Sequence, residues 1–543
     1  MKSVTKILAL LLALVLCISV LAACETKPGE TTAPTGSKPA GSNAPAKLNK
    51  DIYPIDFDGT LTVVTGKTDA DKADNWVRWE TWTGVDVEWR TVAEEQTPLL
   101  FLDDTQMPDI FFQAYGLSVP QINEYGQGGK LINFMDHLDK LPNISARYAE
   151  DPMMFDSVKD ANGDVYTLPY ICDTLTMCGN LFYVRTDMTD AAGWETLPKT
   201  TEEFLTMCED LQNYYKDVPG YVPMVCNGAV SIAYNGAYSN FFFPAFGDLM
   251  RADITTNATW DKIVVGFATE QFKHYLEFMN ALYEEGYMDP ECFVAEGNTG
   301  KAKLIEGSTT MNPYATYLEP KNFASGEMEF QTFPPLSSQY TSETKWANPN
   351  HYLQGVYMIN AKCKELDAAL AFLDACYSVE ENPLNEAGTV WGISLWVGEK
   401  DVDYVVNKEE GSFKYLEHEG YDSPTNWLHM AGSGSAPYLK WPYYEASGSG
   451  QEKKALGTRD ILMPHGVDVF YTTLLTLTQD EQDIYNDCWT DIDNKVTEMN
   501  AAFITGQADI EKDWDAYIAS LNDMGLQDVI DVYQAALDRY NSK

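Results

Sequence analysis

Short runs of β-branched and aromatic residues exchange along this chain with stretches whose apolar positions recur every three to four residues, the mark of strands alternating with helices. Leu61-Thr62-Val63-Val64 reads as a strand, Trp76, Trp79 and Trp82 mark one helical face, Gly84 stops that helix, and residues 85–89 read as a second strand. That is a βαβ unit. Residues 99–104 read as a short helix, and Met107-Pro108-Asp109-Ile110-Phe111-Phe112 as a buried parallel strand leaving a proline turn. Asn162-Gly163, between Val158 and Val165, is a hairpin signal. Thr200-Thr201-Glu202-Glu203-Phe204 opens a helix with a Thr cap and acids in the first turn, and residues 362–377 predict an amphipathic helix. From about residue 478 to 540 the pattern is almost wholly helical, with Phe503, Trp514, Tyr517, Ile518, Leu521, Ile530 and Tyr533 as core positions. The fold class is α/β, and no repeat period is present.

The first 24 residues carry a different pattern. Lys2 and Lys6 precede an apolar stretch from Ile7 to Val20, and Leu21-Ala22-Ala23-Cys24 follows. Such a segment is too short to span a membrane and ends in a small-residue cleavage site, so it predicts export. Its ending resembles the bacterial lipobox, which implies that Cys24 receives a diacylglycerol and becomes the mature N-terminus. Residues 25–50 are rich in Thr, Pro, Gly, Ser, Ala and Lys and poor in large apolar groups, the composition of a flexible tether.

Composition narrows the function. Lys plus Arg number 37 against 81 Asp plus Glu, a net charge of −44, and acid on that scale repels phosphate backbones, which excludes a nucleic-acid partner. Aromatics reach 13%, more than a plain core requires. The cysteines beyond Cys24 contain no C-x-x-C, and several sit in apolar helical patterns, such as Cys208 and Cys376; buried free thiols are expected, with no metal site. Gly66-Lys67-Thr68 follows a strand, but the earlier glycine of a P-loop is missing, and neither H-E-x-x-H nor G-x-S-x-G occurs. The six His are scattered and are expected on the surface or in structural hydrogen bonds. Asp160-Ala161-Asn162-Gly163-Asp164 departs from the order of an EF-hand loop and favours a hairpin turn. Carboxylate pairs for glycoside hydrolysis can be neither identified nor dismissed among 81 acids.

Several stretches together resemble extracellular solute-binding protein family 1, the sugar-binding lipoproteins of ABC importers. They are the lipobox, Met107-Pro108-Asp109-Ile110, Gly129-Lys130-Leu131-Ile132, Gly163-Asp164-Val165-Tyr166-Thr167-Leu168-Pro169, and Phe182-Tyr183-Val184-Arg185-Thr186-Asp187 with Pro198-Lys199-Thr200. The end is the most specific piece: Phe503-Ile504-Thr505-Gly506, Trp514-Asp515-Ala516-Tyr517, Met524-Gly525-Leu526 and Tyr533-Gln534-Ala535-Ala536 match the closing helices of a large-lipoprotein branch. Gly392-Ile393-Ser394-Leu395-Trp396 stands where that branch has an Ile-Glu-Gly-x-x-Tyr segment.

The resemblance implies a two-lobe periplasmic-binding-protein-like fold of type II, with a ligand cleft between lobes, crossover strands as hinge and a helical C-terminal region. It divides the chain into a signal peptide (1–23), a tether (24–50), an N-terminal lobe (51–168 and about 355–400) and a C-terminal lobe (169–354 and about 401–543). Open α/β sheets bind ligands beyond the carboxyl ends of their strands, which directs attention to the loop carrying Lys67 and Asp69. By resemblance, Gln113 and Tyr115 stand where family members contact sugar, Asp173 where maltose-type binders carry an acid, and Tyr314 where they stack an aromatic ring. Trp391 and Trp396 join them on composition and placement alone. Arg185 matches a family position as a ligand contact or a structural ion pair. The implied partners are a carbohydrate, ABC permease subunits and the bilayer through Cys24, with no cofactor and a monomeric state. A secreted glycoside hydrolase, a peptide or amino-acid binder of the same fold, and an adhesive lipoprotein are the alternatives.

Overall fold

The computed structural model describes residues 52–542 apart from 67–69, 71–73, 175–180, 227, 229–230, 295–298, 314–327, 379–399, 417–437, 442 and 449. Strand β1 (Thr60–Thr65), helix α1 (Asp74–Thr83) and strand β2 (Asp86–Thr91) form the βαβ unit, the strands pairing in parallel from Thr60 opposite Asp86 to Thr65 opposite Thr91. Strand β3 (Ile110–Phe112) pairs in parallel with the other side of β1. Helices α2 (Val119–Gln127) and α3 (Pro142–Glu150) and strand β4 (Leu168–Thr174) follow. Then come β5 (Tyr183–Val184), α4 (Thr201–Tyr214), α5 (Glu270–Glu284), β6 (Met311–Asn312) and β7 (Gln331–Thr332). The chain continues through β8 (Tyr352–Ile359), α6 (Leu366–Ala375) and β9 (Tyr438–Trp441). It closes with α7 (Gln479–Ile504), α8 (Ile510–Asp523) and α9 (Leu526–Asn541).

The large sheet has the order β9-β4-β8-β3-β1-β2, with β8 antiparallel to both β3 and β4 and β9 parallel to β4. Successive side chains of a strand point to opposite faces, and the burial follows. Val63, Ile110 and Phe112 pack with Trp76 of α1 and Phe372 of α6 on one face. Val64 and Phe111 pack with Phe101, Ile122 and Met358 on the other. A sheet apolar on both faces needs cover on both, which α1, α3 and α6 supply on the first and α2 on the second.

A second core forms around the antiparallel trio β6-β5-β7. Phe182, Phe204 and Phe278 meet there, joined from the closing helices by Phe503, Trp514, Tyr517, Leu521 and Leu537. Ile518, Ile530 and Tyr533 are half-buried against it. The chain is thus a two-lobe α/β fold, and Tyr352 at the start of β8 packs against both cores. Tyr404, Phe413 and Tyr443 pack into the first core.

Local signals act where the sequence places them. The Thr200 hydroxyl accepts the Glu203 N–H at 3.2 Å, and Thr478 with Glu481 forms a reciprocal cap on α7. Glu481 also receives the Arg539 guanidinium of α9 at 2.8 and 3.0 Å, fastening the first and last of the closing helices.

Four expectations need correction. Cys226 and Cys292 form a disulfide, with Cα atoms 5.1 Å apart and 66 residues between them in sequence, so they are not free thiols. Cys172, Cys208 and Cys376 are the buried free thiols. Asn162-Gly163 lies in a turn without a hairpin, because the Asp160 carboxylate accepts the N–H groups of Asn162 and Asp164 and satisfies the backbone locally. The helix foreseen at 99–104 is a single turn, Thr97–Leu100. The helix within 362–377 is buried nearly all round, down to Asp374, because it lies between other layers rather than at the surface.

Candidate functional site

The carboxyl ends of β1 and β3 point toward the crossover strands, and the loops that leave them are tied together. The Gly66 N–H donates to the Gln113 carbonyl at 3.1 Å. A Cβ at Gly66 would stand 3.2 Å from that same oxygen, so the close approach favours glycine. Gln113 itself adopts φ 54°, the left-handed region that a non-glycine residue enters at some cost in backbone strain. Its side chain is fully buried, with Nε2 donating to the Tyr357 hydroxyl at a long 3.5 Å. Its Oε1 has no partner among the described residues. A buried amide held in strained backbone with half its hydrogen-bonding capacity unused is a group awaiting a polar partner.

Burial pushes the Tyr357 hydroxyl well above its ordinary pKa, so it stays protonated and can donate or accept. Tyr115, two residues beyond Gln113, is 38% exposed, and its hydroxyl is raised by partial burial and by Glu94. Asp173 lies on β4 in register with Lys440 of β9, so its main chain stands in the crossover. The crossover is stiffened next to it, where Cys172 N–H donates to the His351 carbonyl at 3.0 Å and the His351 Nδ1 meets the Cys172 carbonyl at 3.0 Å. The His351 ring therefore serves structure, as does Arg185, whose guanidinium pairs with Asp187 and donates to the Leu304 carbonyl at 3.0 Å.

Lys67, Asp69, Tyr314, Trp391 and Trp396 lie outside the described residues. The structure brings Gln113 and Tyr115 to one loop, beside Gly66, and adds Tyr357, which the sequence reading missed. The pairing of Gln113 with Tyr357 spans 244 residues, and only the apolar run of β8 hinted that Tyr357 lies next to β3. Among the described residues no group of three His, Cys, Asp or Glu side chains could hold a metal ion, and no helix is long and apolar enough to cross a membrane.

Two cores joined by crossover strands, with strained polar groups where the sheet faces the second lobe, form the frame of a ligand-capturing protein. Residues 104–391 match the profile of the bacterial extracellular solute-binding proteins. The chain belongs to this family. Solute binding, rather than catalysis, is the activity the family is defined by, which sets the glycoside hydrolase alternative aside. This family member is 22% identical over 545 residues to the fructooligosaccharide ABC transporter substrate-binding protein FusA of Streptococcus pneumoniae serotype 4, covering 97% of this chain and 96% of that protein. The structure of S. pneumoniae FusA in complex with kestose has a TM-score of 0.66 at 20% identity and covers 89% of this chain and 100% of that one. A solute-binding protein from Bifidobacterium longum infantis, described as HMO-binding and associated with an ABC transporter, has a TM-score of 0.69 at 14% identity, covering 90% of this chain and 100% of that one. At such identities these structures speak to the fold alone, and they agree with the two-lobe architecture.

Proposed function

We propose that this solute-binding protein captures an oligosaccharide between its lobes and delivers it, chemically unchanged, to the transmembrane subunits of an ABC importer. The observation that carries this reading is the end-to-end likeness to a relative described as a fructooligosaccharide-binding component of an ABC transporter. The site chemistry supports it. A sugar needs planar amides and acids for its hydroxyls and flat apolar surface for its C–H faces. Gln113 and Tyr115 offer such groups at the end of β3, with Lys67, Asp69, Asp173, Tyr314, Trp391 and Trp396 proposed as the remaining contacts. The protein is further proposed to act as a monomer on the outer face of the cytoplasmic membrane, held by a lipid on Cys24.

A thermal-shift screen tests the substrate class. Neutral tri- and tetrasaccharides are set against short peptides and free amino acids. A ligand at 100 times its dissociation constant adds about 2.7 kcal/mol of stability, so an oligosaccharide should raise the midpoint and the peptides should not. A shift by peptides alone would transfer the assignment to the peptide-binding alternative.

A further inference from the structure

A cavity of about 580 Å³ lies beside the crossover, and none of the eight proposed sugar contacts lines it. One wall is helix α2 with the turn at 157–162, elements of the first lobe. The opposite wall is the segment 472–482 leading into α7, together with Tyr533 of α9, elements of the second lobe. Asn350 and Tyr352, at the entry to β8, form the floor between them.

The lining has a definite chemistry. It contains no Lys, Arg or His, so nothing in it would neutralise an anion. It contains two acids, Glu124 and Asp160, and the Asp160 carboxylate is already occupied by the Gln127 amide at 2.8 Å and by the N–H groups of Asn162 and Asp164. That leaves one exposed carboxylate, too little for a bare cation. The rest is dominated by side-chain amides and hydroxyls, with the rings of Tyr352 and Tyr533 beside them. Two lining groups are conspicuous. Asn123 is 7% exposed and Ser157 is 9% exposed, yet Asn123 Oδ1 and Ser157 Oγ have no hydrogen-bond partner among the described residues. Buried polar atoms in that condition are uncommon and cost roughly 1–3 kcal/mol each until something satisfies them.

We propose that this cavity is a second ligand site, distinct from the cleft loops, for a neutral polyhydroxylated molecule of about disaccharide size. Its volume is within the range of small-molecule sites. Asn123 and Ser157 supply orienting hydrogen bonds from the first lobe, Thr473, Thr476 and Gln482 face them from the second, and the tyrosine rings offer flat surface to C–H groups. The rim is already bridged by the Thr476 hydroxyl, which donates to the Lys159 carbonyl at 2.7 Å. A ligand seated inside adds further bridges between the same two walls.

Calorimetric titration of the full chain with sucrose tests this, repeated in Asn123→Ala, Thr473→Trp and Gln113→Ala. Thr473 is exposed, so an indole there can fill the cavity mouth without entering a core. Unfolding midpoints in the absence of sugar check that each variant is folded. The expected result is a saturable sucrose site whose affinity falls at least about tenfold in both Asn123→Ala and Thr473→Trp and is unchanged in Gln113→Ala. Glucose 6-phosphate should not occupy it. Sucrose binding that is absent from the wild type, or that survives both cavity variants, would overturn the proposal. Loss confined to Gln113→Ala would place all sugar binding in the cleft, leaving the proposed function intact and this second site refuted. Binding lost only in the cavity variants, with no larger glycan bound anywhere else, would have the opposite meaning.

Discussion

The Nε2 of Gln113 reaches the Tyr357 hydroxyl across 3.5 Å in a fully buried setting, joining the end of β3 to the crossover strand β8. The pair sits where the first lobe faces the second, and Gln113 holds it with φ 54°.

Two substitutions separate the strain from the binding role. Both Gln113→Ala and Gln113→Gly remove the amide, and each should weaken oligosaccharide affinity by about 1–2 kcal/mol. Only glycine relieves the left-handed backbone, so the Gly variant should exceed the Ala variant in unfolding free energy by roughly 1 kcal/mol. Urea denaturation reads the second difference and calorimetry the first. Equal stabilities would show that the backbone is unstrained there, and unchanged affinities would remove Gln113 from the site.

Asp374 predicts a pH dependence. Its carboxylate is buried in α6 and accepts the Ile144 N–H at 2.9 Å, the Asn143 side-chain amide at 2.8 Å and the Tyr53 hydroxyl at 3.2 Å. Burial outweighs these bonds and pushes its pKa up to about 6 from 3.8. A folded pKa above the unfolded one means that the folded state binds the extra proton between those values. Stability from this group is present below about pH 4 and lost as pH rises through 6. Urea midpoints of the wild type should therefore climb, relative to those of Asp374→Asn, as pH falls from 7 to 5. A parallel course of the two would contradict the assignment.

The disulfide between Cys226 and Cys292 closes a loop of 66 residues in the second lobe. Removing it as the double Ser variant should lower stability by about 4 kcal/mol, on the loop-entropy account. Mass spectrometry after thiol labelling should find the pair oxidised in exported protein. Labelling of both thiols without denaturant would refute the bond.

Cys24→Ala should move the protein from the membrane fraction to the soluble fraction or leave it as uncleaved precursor, because residues 25–50 hold no apolar stretch to replace the lipid. Membrane recovery and lipid labelling equal to the wild type would exclude the anchor.

Much of the fold was legible because it rests on local periodicity. The alternation of Val63 and Val64, and of Phe111 and Phe112, fixes which face each strand residue takes, and Thr200 and Thr478 announce helix starts through their caps. What failed depends on distant partners. The Cys226–Cys292 pairing follows from tertiary packing, which no spacing rule contains. Helix α6 carries Asp374 on a face that reads as solvent until Tyr53 and Asn143, more than 200 positions away, are seen to meet it. The turn at Asn162 carries a hairpin signal, but Asp160 takes the N–H groups that a hairpin would pair. Of the site, the sequence located the loop of Gln113 and Tyr115, while Tyr357 and the polar cavity beside the crossover arise only when strands far apart in sequence lie side by side.

The most direct test of oligosaccharide capture without chemistry is a calorimetric titration with the glycan that gives the largest thermal shift, followed by chromatography of the recovered sugar. One glycan should bind in the cleft at roughly micromolar affinity, about −8 kcal/mol, weakened in Gln113→Ala, and return from overnight incubation at its original length. Absence of binding by every glycan tried, or shortened products that track with the pure protein, would contradict the account.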